Sequence, residues 1–141
     1  MFSAFDNYFL QAQRVRQLIK NDFNRVFSIP NYFSDSPGSE NPSGVDVLIH
    51  PSAIQTAPIL GLDSTEDSTL SAYVQDVLTV PASLAGLPAL SVPVRRSTRD
   101  NDGTDDQWPF GISVVGQWGT DEMVLSVGGA IEALESDIMS P

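Results

Sequence analysis

The stretch from Val77 to Val94 limits the fold more than any other part of the chain. It carries no charged residue and approaches the length of a membrane-spanning helix. Pro81, Pro88, Pro93 and Gly86 would break such a helix repeatedly. The run must instead be cut into short buried pieces. These are the end of a helix, a turn through Leu84, Ala85 and Gly86, and a strand at Ala89-Leu90-Ser91-Val92. The helix before it is expected over 68–79, with Leu70, Tyr73, Val77 and Val80 as its apolar stripe and Pro81 ending or kinking it.

The elements on either side follow from periodicity. Tyr8, Ala12, Val15, Ile19, Phe23 and Val26 recur every three or four residues, which predicts an amphipathic helix. Asp6 suits its positive end and Arg25 its negative end, and Pro30 stops it. Val45-Asp46-Val47-Leu48-Ile49 reads as a strand ended by Pro51, apolar enough to be buried on both faces. Phe110 to Gly116 is a further strand, expected to pair antiparallel with the preceding one. Thr120 caps a last helix that begins with Asp121 and Glu122 and buries Met123, Val127, Ala130 and Leu134. Residues 31–44 and 95–107 are polar, rich in turn formers, and expected to be surface loops. The order helix, strand, helix, strand, strand, helix is that of an α/β or α+β fold.

Composition narrows the function. A net charge of −11 disfavours a direct grip on nucleic acid, where Lys and Arg dominate phosphate binding. No cysteine is present, which removes disulfides, thiolate nucleophiles and cysteine-bound zinc. His50, the single histidine, lies beside Pro51 at the end of an apolar run and reads as a structural strand-end residue. Gly128-Gly129 falls inside a helix pattern and not between a strand and a helix, so it is no phosphate-cradling loop. Met1 leads into Phe2-Ser3-Ala4-Phe5-Asp6 with no basic and apolar leader pattern, so no targeting peptide is expected here.

Four blocks carry a resemblance. They are Asn7 to Phe23, Val45 to Ser52, Tyr73 to Pro93 and Trp108 to Gly116, the last followed by Asp121, Glu122 and Leu125. In this order they are similar to the C-terminal part of the amidase signature family, and most of all to its glutamine-using amidotransferase branch in the fungal mitochondrial form. The Tyr73 to Pro93 block, which opens with Tyr73-Val74-Gln75-Asp76-Val77-Leu78-Thr79-Val80-Pro81, is the most specific of them. Ile54, Ser83 and Ser113 depart from the family pattern, where a proline, an asparagine and a glutamine are usual.

The resemblance implies a C-terminal fragment of the amidase signature fold, a mixed β-sheet flanked by helices, with residues 1–141 forming an incomplete domain. It implies a mitochondrial location. It implies an assembly in which glutamine is hydrolysed to ammonia, and a B subunit, with or without a further small subunit, uses ATP and Mg to convert glutamyl-tRNA(Gln) to glutaminyl-tRNA(Gln). No cofactor is expected on this chain, tRNA would be met only through the complex, and no membrane partner is implied.

One residue role follows from the same resemblance. Asp76 stands at the position that receives the α-ammonium of the substrate glutamine. The family's serine, cis-serine and lysine machinery has no counterpart here. The only lysine is Lys20, on the first helix, and no Gly-Ser-Ser-Gly-like stretch exists. No catalytic residue is therefore assigned. Two other readings stand beside this one. A different amidase of the family would have no ammonium for Asp76 to bind. A catalytically inactive interaction fragment would expose apolar surface on the first helix and on residues 77–94.

Overall fold

A computed structural model describes residues 8–34, 38–54, 74, 76–95 and 108–139; within the last span, side chains are described to residue 135. Helix α1 spans Leu10–Val26. It ends at Phe27, well before Pro30, because Phe27 turns to extended backbone and its amide closes the last turn on Phe23 O at 3.2 Å. Asp6 lies outside the described residues. Arg25 sits in the last turn, as the helix dipole favours, and pairs with Asp22 on the exposed side.

Phe27, only 1% exposed, anchors this end of the helix. It forms a parallel bridge with Val45. Ser28 N donates to Val45 O and Val45 N donates to Val26 O, both at 2.9 Å. Gly44 makes the close approach possible. A Cβ there would lie 2.5 Å from Ser28 N and 2.6 Å from Phe27 C, inside the facing backbone.

Strand β1 spans Val47–Pro51, β2 spans Ala89–Val94 and β3 spans Phe110–Gly116. They form an antiparallel sheet in the order β1-β3-β2. The expected pairing of the last two strands is present, with Ser91 opposite Ser113. The strand buried on both faces is β3 and not the one beginning near Val45. β1 is an edge strand with Ile49 56% exposed, whereas Val114 and Val115 on β3 are 0% and 2% exposed. The order explains the correction, since among the described strands β3 alone has neighbours on both sides as well as cover on both faces.

A 3₁₀ turn at Asp76–Leu78 leads into helix α2, Val80–Ala85. Of the helix expected over 68–79, most lies outside the described residues, and Val74 alone before the turn is helical. Pro81 opens α2 instead of ending a helix, because the first turn needs no amide from it. Gly86 ends α2 in the left-handed region, at φ 74°, with its amide on Ala82 O and Ser83 O.

Helix α3 spans Asp121–Met139, with both expected acids in its first turn. Its buried side is rotated from the expected one. Val124 and Gly128 are buried, while Ala130 and Leu134 are exposed and Met123 and Val127 only partly covered. Gly128 is the cause. It meets Leu90 and Val92 of β2 where a Cβ would collide with Leu90, so the sheet comes to the glycine. Thr120 stands directly before the helix, where its carbonyl accepts from Val124 N at 3.0 Å and its hydroxyl donates to Gln117 O at 2.7 Å.

The sheet is thus packed from both sides. α3 covers the face of Leu90, Val92 and Val114. On the opposite face, Leu48 and Val115 pack with Phe27, Ala82, Ala85 and Leu87 and with Ile19 and Phe23 of α1. No residue of α1 is fully buried, and Val15 and Leu18 are exposed. Among the described residues, no helix is long and apolar enough to cross a membrane.

Candidate functional site

Asp76 begins the 3₁₀ turn and is exposed. Its backbone is fixed from the C-terminal side. Asp76 O accepts from Thr79 N at 3.1 Å and from Thr79 Oγ1 at 3.4 Å. Thr79 O in turn accepts from Ser83 N at 3.4 Å and Ser83 Oγ at 3.3 Å. The turn and α2 are therefore one hydrogen-bonded unit from Asp76 to Gly86. Among the described residues, the Asp76 carboxylate has no hydrogen-bond or ion-pair partner of its own. It is a carboxylate on an anchored backbone, open to a cation from outside, and a cation partner is what such a group accepts.

α2 is tied to α1 by Arg16, whose Nε donates to Leu84 O at 2.7 Å. Reading the sequence did not single out Arg16, because the contact joins positions 68 residues apart.

A second polar group lies on the sheet face that α1 and α2 cover only at one end. Ser52 Oγ is 2.6 Å from Ser91 Oγ and 2.7 Å from Ser113 Oγ. Ser52 follows the edge strand β1, Ser91 is on the opposite edge β2, and β3 lies between. Gly111 on β3 lets the hydroxyls meet. A Cβ there would be 2.7 Å from both Ser52 Oγ and Ser91 Oγ. Ser113, which stands where the family pattern has glutamine, is 5% exposed and satisfied by this cluster.

His50 lies on β1 opposite Ser113. Its Nδ1–H donates to Pro51 O at 2.8 Å, which fits the structural role expected of it. Lys20 is not brought to a serine; its ammonium lies 5.9 Å over the ring of Phe33, which stacks on Trp118. Among the described residues, no group of three or more His, Asp or Glu could hold a metal ion.

The fold and the sequence have relatives that explain this arrangement. The amidase family profile matches residues 2–125, and the chain belongs to the amidase family. It is 49% identical over 128 residues to the A subunit of the mitochondrial glutamyl-tRNA(Gln) amidotransferase of Mycosarcoma maydis, covering 89% of this chain and 23% of that one. The corresponding protein of Emericella nidulans is 45% identical over 139 residues, covering 92% of this chain and 27% of its own length. The crystal structure of the A subunit of glutamyl-tRNA(Gln) amidotransferase from Thermotoga maritima superposes with a TM-score of 0.59 at 30% identity, over 85% of this chain and 21% of that one. The chain thus spans about a quarter of the length of the curated relatives it matches. Its described sheet and helices correspond to part of the amidase signature fold. The fungal relatives are mitochondrial by name, and the chain is placed in the mitochondrion with them.

Proposed function

We propose that this chain supplies the C-terminal part of the glutamine-hydrolysing A subunit of a tRNA-dependent amidotransferase, and that Asp76 receives the α-ammonium of glutamine. Likeness to the fungal A subunits at 49% and 45% identity supports the assignment to that branch. The observation that carries the role of Asp76 is its exposed carboxylate on a turn locked to α2, without a partner among the described residues. A carboxylate held there can pair with the ammonium and hold the substrate by the end remote from its amide.

Hydrolysis needs an activated nucleophile and oxyanion donors. No described residue is assigned to either role, so the contribution proposed for this chain is binding and orientation. The ammonia released would be used by a B subunit, with or without a further small subunit, which draws on ATP and Mg to amidate glutamyl-tRNA(Gln). This chain's acidic balance leaves contact with tRNA to that assembly.

The test is Asp76→Asn in the amidotransferase holoenzyme carrying this sequence. The KM for glutamine should rise by about a hundredfold, the order of a lost charge-assisted pair. An unchanged KM would sink the assignment. Amidation supplied with free ammonium bypasses the glutamine site and reports whether the assembly is intact. A neutral amide turned over as well as glutamine would favour a different amidase.

A further inference from the structure

We propose that Arg16 is a positioning residue for Asp76, acting through the C-terminal end of α2. The inference deepens the reading of Asp76 as the ammonium site and rests on it. The last carbonyls of a helix have no partner within the helix. At the end of α2, Gly86 N takes Ala82 O and Ser83 O, and Leu87 N takes Ala82 O. The Leu84 carbonyl is served instead by Arg16 Nε at 2.7 Å, from a different helix. A guanidinium is always charged, and its donation to a carbonyl at the negative end of a helix is favourable twice over.

This bond matters because the rest of the α1–α2 contact buries no α1 side chain fully. The two helices lie close, and the apolar side chains that α1 packs against the cluster holding Ala82 and Ala85 are the partly buried Ile19 and Phe23. Arg16, Ile19 and Phe23 fall on one stripe of α1, so the apolar contact and the hydrogen bond act along one line. Arg16 grips the far end of α2, which sets its tilt, while Ile19 and Phe23 set its distance.

The tilt of α2 reaches Asp76 because the two are one unit. Hydrogen bonds run from Asp76 O to Thr79 and from Thr79 O to Ser83, and Pro81 restricts the backbone between them. Leu84 and Asp76 are eight positions apart, on the order of 12 Å at the helical rise. A rotation of about 5° at one end therefore displaces the other by about 1 Å, and a 1 Å misplacement of a substrate-orienting group can cost up to about a hundredfold.

Glutamine kinetics of the holoenzyme carrying Arg16→Met, Asp76→Asn and the pair test the inference. Arg16→Met keeps the apolar stem and removes the donor. It should raise the KM for glutamine roughly tenfold, the scale of one lost hydrogen bond to a charged group, with a smaller change in kcat. In the Asp76→Asn background the same substitution should add little, because a residue that acts through Asp76 has nothing left to position. Should Arg16→Met fail to assemble, Arg16→Leu, which also carries no donor, is read in the same way.

An unchanged KM with either Arg16 variant overturns the inference. So does an effect that multiplies in full on top of Asp76→Asn, which would mark Arg16 as merely structural. If Asp76→Asn itself leaves KM unchanged, the ammonium-site reading fails, and the inference falls with it.

Discussion

Replacing Gly111 by alanine would drive a methyl group into the hydroxyl cluster that links the outer strands. The new Cβ would stand 2.7 Å from Ser52 Oγ and Ser91 Oγ and 2.8 Å from Ser52 Cβ. Serine is too short to swing its tip aside and keep its bonds, so Ser52 must withdraw. Two neutral hydrogen bonds are then lost, worth together about 2 kcal/mol, and the buried hydroxyl of Ser113 left without a partner adds about 1 kcal/mol. Alanine offsets roughly 0.5–1 kcal/mol of this, since it has less backbone freedom to lose than glycine. The expected result is a destabilisation of about 2 kcal/mol, read by urea unfolding as a lower midpoint at unchanged slope. Ser52→Gly removes two of the three colliding atoms and leaves only the Ser91 hydroxyl, which is then free to turn away, so Gly111→Ala combined with Ser52→Gly should be less damaged than the sum of the single changes, by about 1 kcal/mol or more. Strict additivity, or a Gly111→Ala protein within about 0.5 kcal/mol of the parent, would refute the view that glycine keeps the way open for the cluster.

Two further outcomes are expected. Gly44→Ala meets backbone and not side chain, so nothing can yield cheaply; it should break the bridge between Phe27 and Val45 and cost about 3 kcal/mol or more in unfolding measurements. Gln117→Leu should cost about 3 kcal/mol and speed amide exchange at Trp118. Gln117 is 1% exposed, donates to Asn24 Oδ1 and Ile29 O, and accepts from Trp118 N at 2.9 Å.

Local pattern made much of this fold legible and packing hid the rest. α1, β2, β3 and α3 stand where periodicity puts them, because each carries an apolar repeat of its own. The buried side of α3 was not legible, since an apolar count gives glycine no weight and the contact is made by Gly128. Nor was the edge position of β1, which depends on a strand order that β1 itself does not encode. Pro81 misleads in the same way. Proline marks a helix boundary, and only the neighbouring hydrogen bonds say that the boundary is a beginning. At the candidate site, Asp76 was legible through resemblance alone. The Arg16 bond and the serine cluster join residues 68, 39 and 61 positions apart, beyond the reach of any local pattern.

The strand order has a consequence for how the chain is made. β3 is the middle strand in space but the last of the three in sequence. Among the described residues, β3 is the strand that pairs with both β1 and β2, and both leave the ribosome before it. β1 must wait while residues 52–109 are added, on the order of several seconds at typical synthesis rates. During that time the amides and carbonyls that β3 will take are open to another extended chain, and Ile49 and Val47 are there to favour it. Yield in the cell should therefore respond to chaperone supply and to the pace of translation between β1 and β3 more than to the stability of the finished sheet.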